Sequence, residues 1–230
     1  MTASRPGPLD YSLPAMARRK TQRLGRPPAS SAADTRDRII SVACGLFSTM
    51  GYGVTTNRNV ADQAGVTTSA LYYYFDSKLA MYMAVYEELQ KKVNERFAQA
   101  TAGIDTFDAS IRAVLQASAA MNEEDPSIAA FQGAARTDRL RHPELMAAIP
   151  NPPGEGASLV PGLVALGIET GEIDPARTEQ LTAVLRTLFV GLVDGVSNNL
   201  EDQRNAIDGI MALLDGDLIR RPVRRKNKAG

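Results

Sequence analysis

Residues 57–75 read NRNVADQAGVTTSALYYYF, and the placing of their apolar and small residues decides the fold. Val60, Ala61 and Ala64 recur at helical intervals, Gly65 interrupts them, and Val66 and Leu71 resume the apolar set after a Thr67-Thr68 pair suited to capping a helix. Two short helices about three residues apart with glycine in the turn have the layout of a helix-turn-helix, and Ala61 is small where the two would cross. Successive side chains on a helix are about 100° apart, so one core-facing stripe cannot bury Tyr72, Tyr73, Tyr74 and Phe75 together. With Leu71 facing inward, Phe75 falls one turn later on the same face, while Tyr72 and Tyr73 rotate outward. A tyrosine there can pack its ring on sugar and thymine methyl groups and bond phosphate through its hydroxyl.

Working outward, Ile39, Ile40, Ala43, Leu46 and Phe47 predict a first helix from Asp34 that Gly51 ends. Thr55 or Thr56 caps a second helix over 57–64, Thr67 or Thr68 a third, and Ser77 a fourth. Lys78 then lies in a first helical turn, where a cation opposes the helix dipole and a phosphate would relieve it.

The segment TRDRIISVACGLFSTMGYGVTTNRNVADQAGVTTSALYYYFDSK, residues 35–78, resembles the N-terminal domain of the tetracycline-repressor (TetR) family in its Leu46-Phe47, Gly51-Tyr52, Thr55-Thr56, Ala64-Gly65-Val66, Leu71-Tyr72, Phe75 and Ser77-Lys78. Tyr74 stands where that family often has histidine; it can still donate one hydrogen bond but loses any imidazolium charge. The resemblance implies an all-α chain in which a three-helix DNA-binding domain is joined by helix 4 to a larger helical domain for ligand binding and dimerisation. It implies DNA contacts from Thr56, Asn57, Thr67, Thr68, Ser69, Tyr72, Tyr73, Tyr74 and Lys78, with Thr68 and Ser69 reaching base edges. It also implies a homodimer on a pseudo-palindromic operator, built by pairing two long helices, here about Ala157–Thr170 and Asp174–Leu200.

The net charge is zero but unevenly spread. Residues 1–30 carry six Lys/Arg against Asp10, and residues 220–230 carry six basic groups and no acid. Residues 79–219 hold ten basic and twenty-one acidic groups, a body that repels a polyanion. The Pro-, Gly- and Arg-rich start predicts a disordered arm, and its GRP triplet, residues 25–27, resembles the core of AT-hook peptides; Arg26 is its candidate for the minor groove. The expected division is arm 1–33, DNA-binding domain 34–80, effector and dimerisation domain 81–219, and basic tail 220–230.

The sole cysteine, Cys44, sits in an apolar helical pattern and reads as buried filler, and the sole histidine, His142, precedes a proline at a helix break. No metal-ligand cluster, phosphate loop or nucleophile motif points to an enzyme or a cofactor. No apolar run reaches the roughly 20 residues of a membrane span, so the expected location is cytoplasmic. In the body, Met121, Phe131 and Met146 are candidates to line a pocket for a small hydrophobic or amphipathic effector, with Arg136 or Arg139 pairing an anionic head. The expected function is a transcriptional regulator, a repressor released by that effector; the alternative is a constitutive architectural DNA-binding protein whose body only dimerises.

Overall fold

The computed structural model describes residues 29–149, 159–196 and 200–219. Within them the chain forms ten α-helices and no strand, as the all-α expectation requires. In chain order these are α1 (Ala29–Val54), α2 (Asn57–Ala64), α3 (Thr68–Tyr74), α4 (Lys78–Ala100), α5 (Phe107–Glu124), α6 (Ser127–Arg141), α7 (Pro143–Ala148), α8 (Leu159–Glu169), α9 (Thr178–Val196) and α10 (Leu200–Leu214). A short 3₁₀ turn, Pro175–Arg177, leads into α9, with the Asp174 carboxylate accepting from the Ala176 N–H at 2.9 Å.

The helix ends are set by local chemistry. The Thr56 hydroxyl accepts from the Asn59 N–H, and the Asn59 side chain accepts in return from the Thr56 N–H, both at 3.1 Å. Gly65 closes α2 in the left-handed region (φ 68, ψ 33), which lets its N–H reach the Ala61 and Asp62 carbonyls. Thr67 and Ser77 cap α3 and α4 through their hydroxyls. Gly51 (φ 78, ψ 168) breaks α1 as expected, but one further turn follows it to Val54. At its other end α1 begins at Ala29, inside the stretch expected to be arm.

Two apolar cores hold the helices together. The first is shared by α1 to α4 with Met121, Ile128, Phe131, Ala135, Leu145 and Ile149, and the second joins α5, α8, α9 and α10. The division expected at 80/81 therefore runs through both a continuous α4 and a continuous core. Phe47, Tyr52, Tyr82 and Phe131 form the centre of that core: Tyr82 meets Phe47 edge-on at 4.8 Å, Tyr52 edge-on at 5.1 Å and Phe131 at 5.2 Å between centroids. Such pairs add roughly 0.5–1.5 kcal/mol each beyond the area they bury.

Tyr82 is fully buried and its hydroxyl has no hydrogen-bond partner among the described residues; burial, with Asp138 adding to it, pushes the phenol far above its usual range. An orphaned buried hydroxyl carries its desolvation cost without return. Tyr82→Phe is expected to raise the unfolding free energy by about 1 kcal/mol in urea denaturation; a loss of stability would mean that the hydroxyl is satisfied in solution. Cys44 is buried beside Ser127, and burial pushes its thiol up, which fits the filler reading.

Thr106, the N-cap of α5, makes no side-chain cap bond. Glu172 takes that role from a distant turn, accepting from the N–H groups of Phe107 at 2.7 Å and Asp108 at 2.9 Å. The Asp108 N–H, the Thr170 hydroxyl and the Phe107 N–H hold the Glu172 carboxyl below its usual range. Its contribution is thus present above the unfolded-state pKa and is lost as pH falls through the lower folded value.

The end of the chain departs most from expectation. The helix expected over 157–170 is α8, but Val160, Leu163 and Val164 are buried within the second core, so its apolar face is already used. A further amphipathic helix, α10, follows α9 where none was expected. Residues 1–28, 150–158, 197–199 and 220–230, among them most of the expected arm and the expected tail, lie outside the described residues. Among the described residues no helix is long and apolar enough to cross a membrane.

Candidate nucleic-acid interface

Helices α2 and α3 lock together through Val60, Ala61, Ala64 and Leu71, all buried, and this fixes which side chains remain outside. Leu71 is 0% exposed whereas Tyr72 is 49% and Tyr73 78% exposed, the inward and outward phase expected for α3. Tyr74 is half-buried against the first core, its ring edge-on to Tyr73 at 5.2 Å. Phe75 is buried with Leu71, one turn earlier: its N–H donates to the Leu71 carbonyl at 3.0 Å, and as the C-cap of α3 it is the first residue to leave helical dihedrals (φ −140, ψ 115).

Thr68 and Ser69 occupy the exposed first turn of α3. Thr56 and Thr67 are exposed too, but their hydroxyls already accept cap bonds. Asn57 and Tyr72 are brought together, with Asn57 Nδ2 donating to the Tyr72 hydroxyl at 3.0 Å, while Asn57 Oδ1 is buried without a partner among the described residues. That bond ties the N-terminus of α2 to the exposed face of α3 and orients the Tyr72 ring. Two arginines that sequence reasoning does not single out support the unit. Arg38 Nε donates to the Ala64 carbonyl at 2.9 Å, closing α2, and the Arg36 guanidinium lies 5.5 Å from the Phe75 ring centre.

Lys78 differs from the expectation. Its ammonium turns inward, donating to the carbonyls of Tyr52 at 2.7 Å and Thr55 at 3.2 Å, and lies 4.2 Å from the Tyr52 ring centre. The cation at the start of α4 thus has an internal reason: it caps the end of the turn after Gly51 and stacks on an aromatic face. Arg26 lies outside the described residues.

The five residues expected to line an effector pocket do not share one surroundings. Met121 and Phe131 are buried in the first core. Met146 is 43% exposed on α7, a short helix that turns only Leu145 inward. Arg139 Nε donates to the Ile149 carbonyl at 2.7 Å, and Arg136 pairs with Asp194 of α9 through Nη2 while its Nη1 is buried without a partner among the described residues.

The family model described as "Bacterial regulatory proteins, tetR family" matches residues 39–85, which span the break in α1, all of α2 and α3, and the start of α4. The HTH-type transcriptional regulator UidR of Escherichia coli is 23% identical over 191 residues, covering 82% of this chain and 95% of UidR. The uncharacterized HTH-type transcriptional regulator TtgW of Pseudomonas putida is 32% identical over 94 residues, 41% of this chain and 70% of TtgW. Among solved structures, Salmonella enterica GusR has a TM-score of 0.63 at 22% identity over 80% of this chain and 95% of GusR, a likeness of fold. A tyrosine-faced helix-turn-helix on an all-helical body, with the family model over 39–85 and these relatives, makes the chain a member of the tetR family of bacterial regulatory proteins, DNA-binding transcriptional regulators.

Proposed function

We propose that the chain is a homodimeric repressor that reads a pseudo-palindromic operator and is released from it by a small hydrophobic or amphipathic effector. The observation that carries this reading is the exposure of Tyr72 and Tyr73 beside the α2–α3 turn, where two large apolar rings have no core to fill. In this reading Thr68 and Ser69 meet base edges. Tyr72, Tyr73 and Tyr74, with the backbone near Thr56, Asn57 and Thr67, meet sugar and phosphate. Lys78 serves chiefly as a brace for the turn behind α2, and the arm carrying Arg26 adds minor-groove affinity that falls with salt.

Dimerisation is assigned to α9 and α10. Between them runs an apolar groove of ≈ 580 Å³ lined by Ala183, Val184, Leu188, Leu192, Ala206 and Ile210. Val184 is 58% exposed in it, an unusual position for an aliphatic side chain on a lone subunit. A second copy, bringing the same groove about a twofold axis, would cover both. This replaces the pairing expected for 157–170, whose apolar residues are spent inside the subunit.

For the effector, the body offers buried apolar side chains at Met121 and Phe131 and a polar anchor in Arg136, whose Nη1 is buried without a partner among the described residues. Operator affinity measured by fluorescence anisotropy across lipophilic drugs, fatty acyl compounds and sugars tests the reading. The expected result is that lipophilic or acyl compounds weaken operator binding and sugars do not. By linkage, a compound that weakens the operator complex tenfold must itself bind the operator-bound protein tenfold more weakly, a coupling of about 1.4 kcal/mol. Compounds that bind the body and leave operator affinity unchanged would favour the constitutive architectural reading instead.

A further inference from the structure

Helix α6 carries Asp138 and, one turn on at its C-cap, His142, and both reach the Gly51-Tyr52-Gly53 turn from which α2 and α3 hang. Asp138 is buried, and its Oδ2 accepts from the Tyr52 N–H at 2.7 Å. Its Oδ1 lies 3.1 Å from the point a Cβ on Gly51 would occupy, and that glycine also has φ +78. His142 sets its ring edge-on to Tyr52 at 5.0 Å, and its Nε2 lies 3.2 Å from where a Cβ on Gly53 would stand. From the other side, Lys78 at the start of α4 donates to the Tyr52 carbonyl. The two polar groups of one backbone residue, Tyr52, are thus held by two different helices, its N–H by α6 and its C=O by α4.

The same helix has a second attachment. Arg136, two residues before Asp138, is ion-paired with Asp194 of α9, the helix that lines the apolar groove. Gly133 faces the same Asp194, at 3.8 Å from a Cβ built on it. A shift of α6 against α9 therefore moves Asp138 and His142, and with them the turn that carries the reading helices. A buried carboxylate is tightly held here, because moving it off the Tyr52 N–H would leave both a charge and a donor unsatisfied.

We infer that Asp138 and His142 are positioning residues for DNA binding: their clasp on Gly51-Tyr52-Gly53 fixes the direction in which each head faces. The inference rests on the dimeric reading above, and it separates orientation from contact. A misaimed head still binds a single half-site but cannot engage two half-sites at once, so avidity is lost without loss of intrinsic affinity.

The test uses the full chain and a duplex enriched by the wild-type protein from a random pool, compared with the same duplex with one half scrambled. Wild type is expected to prefer the full site by roughly tenfold or more. Asp138→Leu should bring that ratio towards one while half-site affinity stays within about twofold of wild type. Asp138→Asn, whose amide oxygen still accepts from the Tyr52 N–H, should retain the ratio. Gly53→Ala keeps the buried carboxylate and pushes only on His142, so it carries the test should Asp138→Leu fail to fold; it should lower the ratio while half-site affinity stays near wild type. A role in stability alone would lower full-site and half-site binding together, and that result, or an unchanged ratio in Asp138→Leu and Gly53→Ala, overturns the inference. A wild-type protein without full-site preference would remove the dimeric reading and this inference with it.

Discussion

Leu71→Ala should lower the unfolding free energy by roughly 2–5 kcal/mol, the cost of a cavity at a fully buried leucine. Leu71 is 0% exposed and stands where α2 and α3 close on the first core, so the loss falls on the packing that orients the whole reading unit. Tyr73→Ala should behave in the opposite way. At 78% exposure the ring supports little of the fold, and the variant should stay within about 0.5 kcal/mol of wild type in denaturant while binding operator more weakly. Urea unfolding of the two variants in parallel makes the comparison. A severe loss for Tyr73→Ala with a silent Leu71→Ala would mean that α3 is rotated from the phase described above.

An equally large effect is expected in the groove between α9 and α10. Val184→Glu places a carboxylate in the apolar surface assigned to the partner copy, and in a twofold dimer it does so from both subunits. Burying unpaired charge there costs several kcal/mol, enough to separate the copies. Sedimentation should show a folded monomer. Operator affinity should fall by roughly a hundredfold, because the two heads no longer bind as a linked pair. A Val184→Glu protein that sediments as a dimer and binds operator as wild type does would place the seam elsewhere.

What could be read from the sequence, and what could not, follows the range of the interactions concerned. The bounds of α2, α3 and α4 are written in neighbours: Thr56 with Asn59, Thr67 with Ala70, Ser77 with Ala80, and Gly65 at the turn. The outward aim of Tyr72 and Tyr73 follows from helical spacing once Leu71 is set inward. The inward bonds of Lys78 are hidden for the converse reason. Its acceptors are the carbonyls of Tyr52 and Thr55, 26 and 23 residues earlier, and nothing local to Ser77-Lys78 reveals them. Asp138 was passed over likewise, since its carboxylate acquires meaning only against the Tyr52 N–H 86 residues away. In the body, the apolar stripe of α9, from Leu181, Val184, Leu185, Leu188, Phe189, Leu192 and Val193, is wide enough to imply cover on more than one side but does not say by what. The stripe is shared between α8 within the subunit and the groove with α10, and a helix opening on Leu200, Glu201 and Asp202 gives little contrast against the polar residues before it.

Operator affinity with the exposed face of α3 altered shows whether that face reads DNA. A duplex enriched from a random pool by the full-length protein, labelled for fluorescence anisotropy, is titrated with wild type, Thr68→Ala and Tyr73→Ala at one salt concentration. The account predicts that wild type enriches a pseudo-palindrome whose half-sites lie about one duplex turn apart, roughly 34 Å or a small multiple. It predicts that each variant, folded as wild type is, binds that duplex at least several-fold more weakly. A pool from which no sequence is enriched, or variants that bind the selected duplex as tightly as wild type, would contradict it.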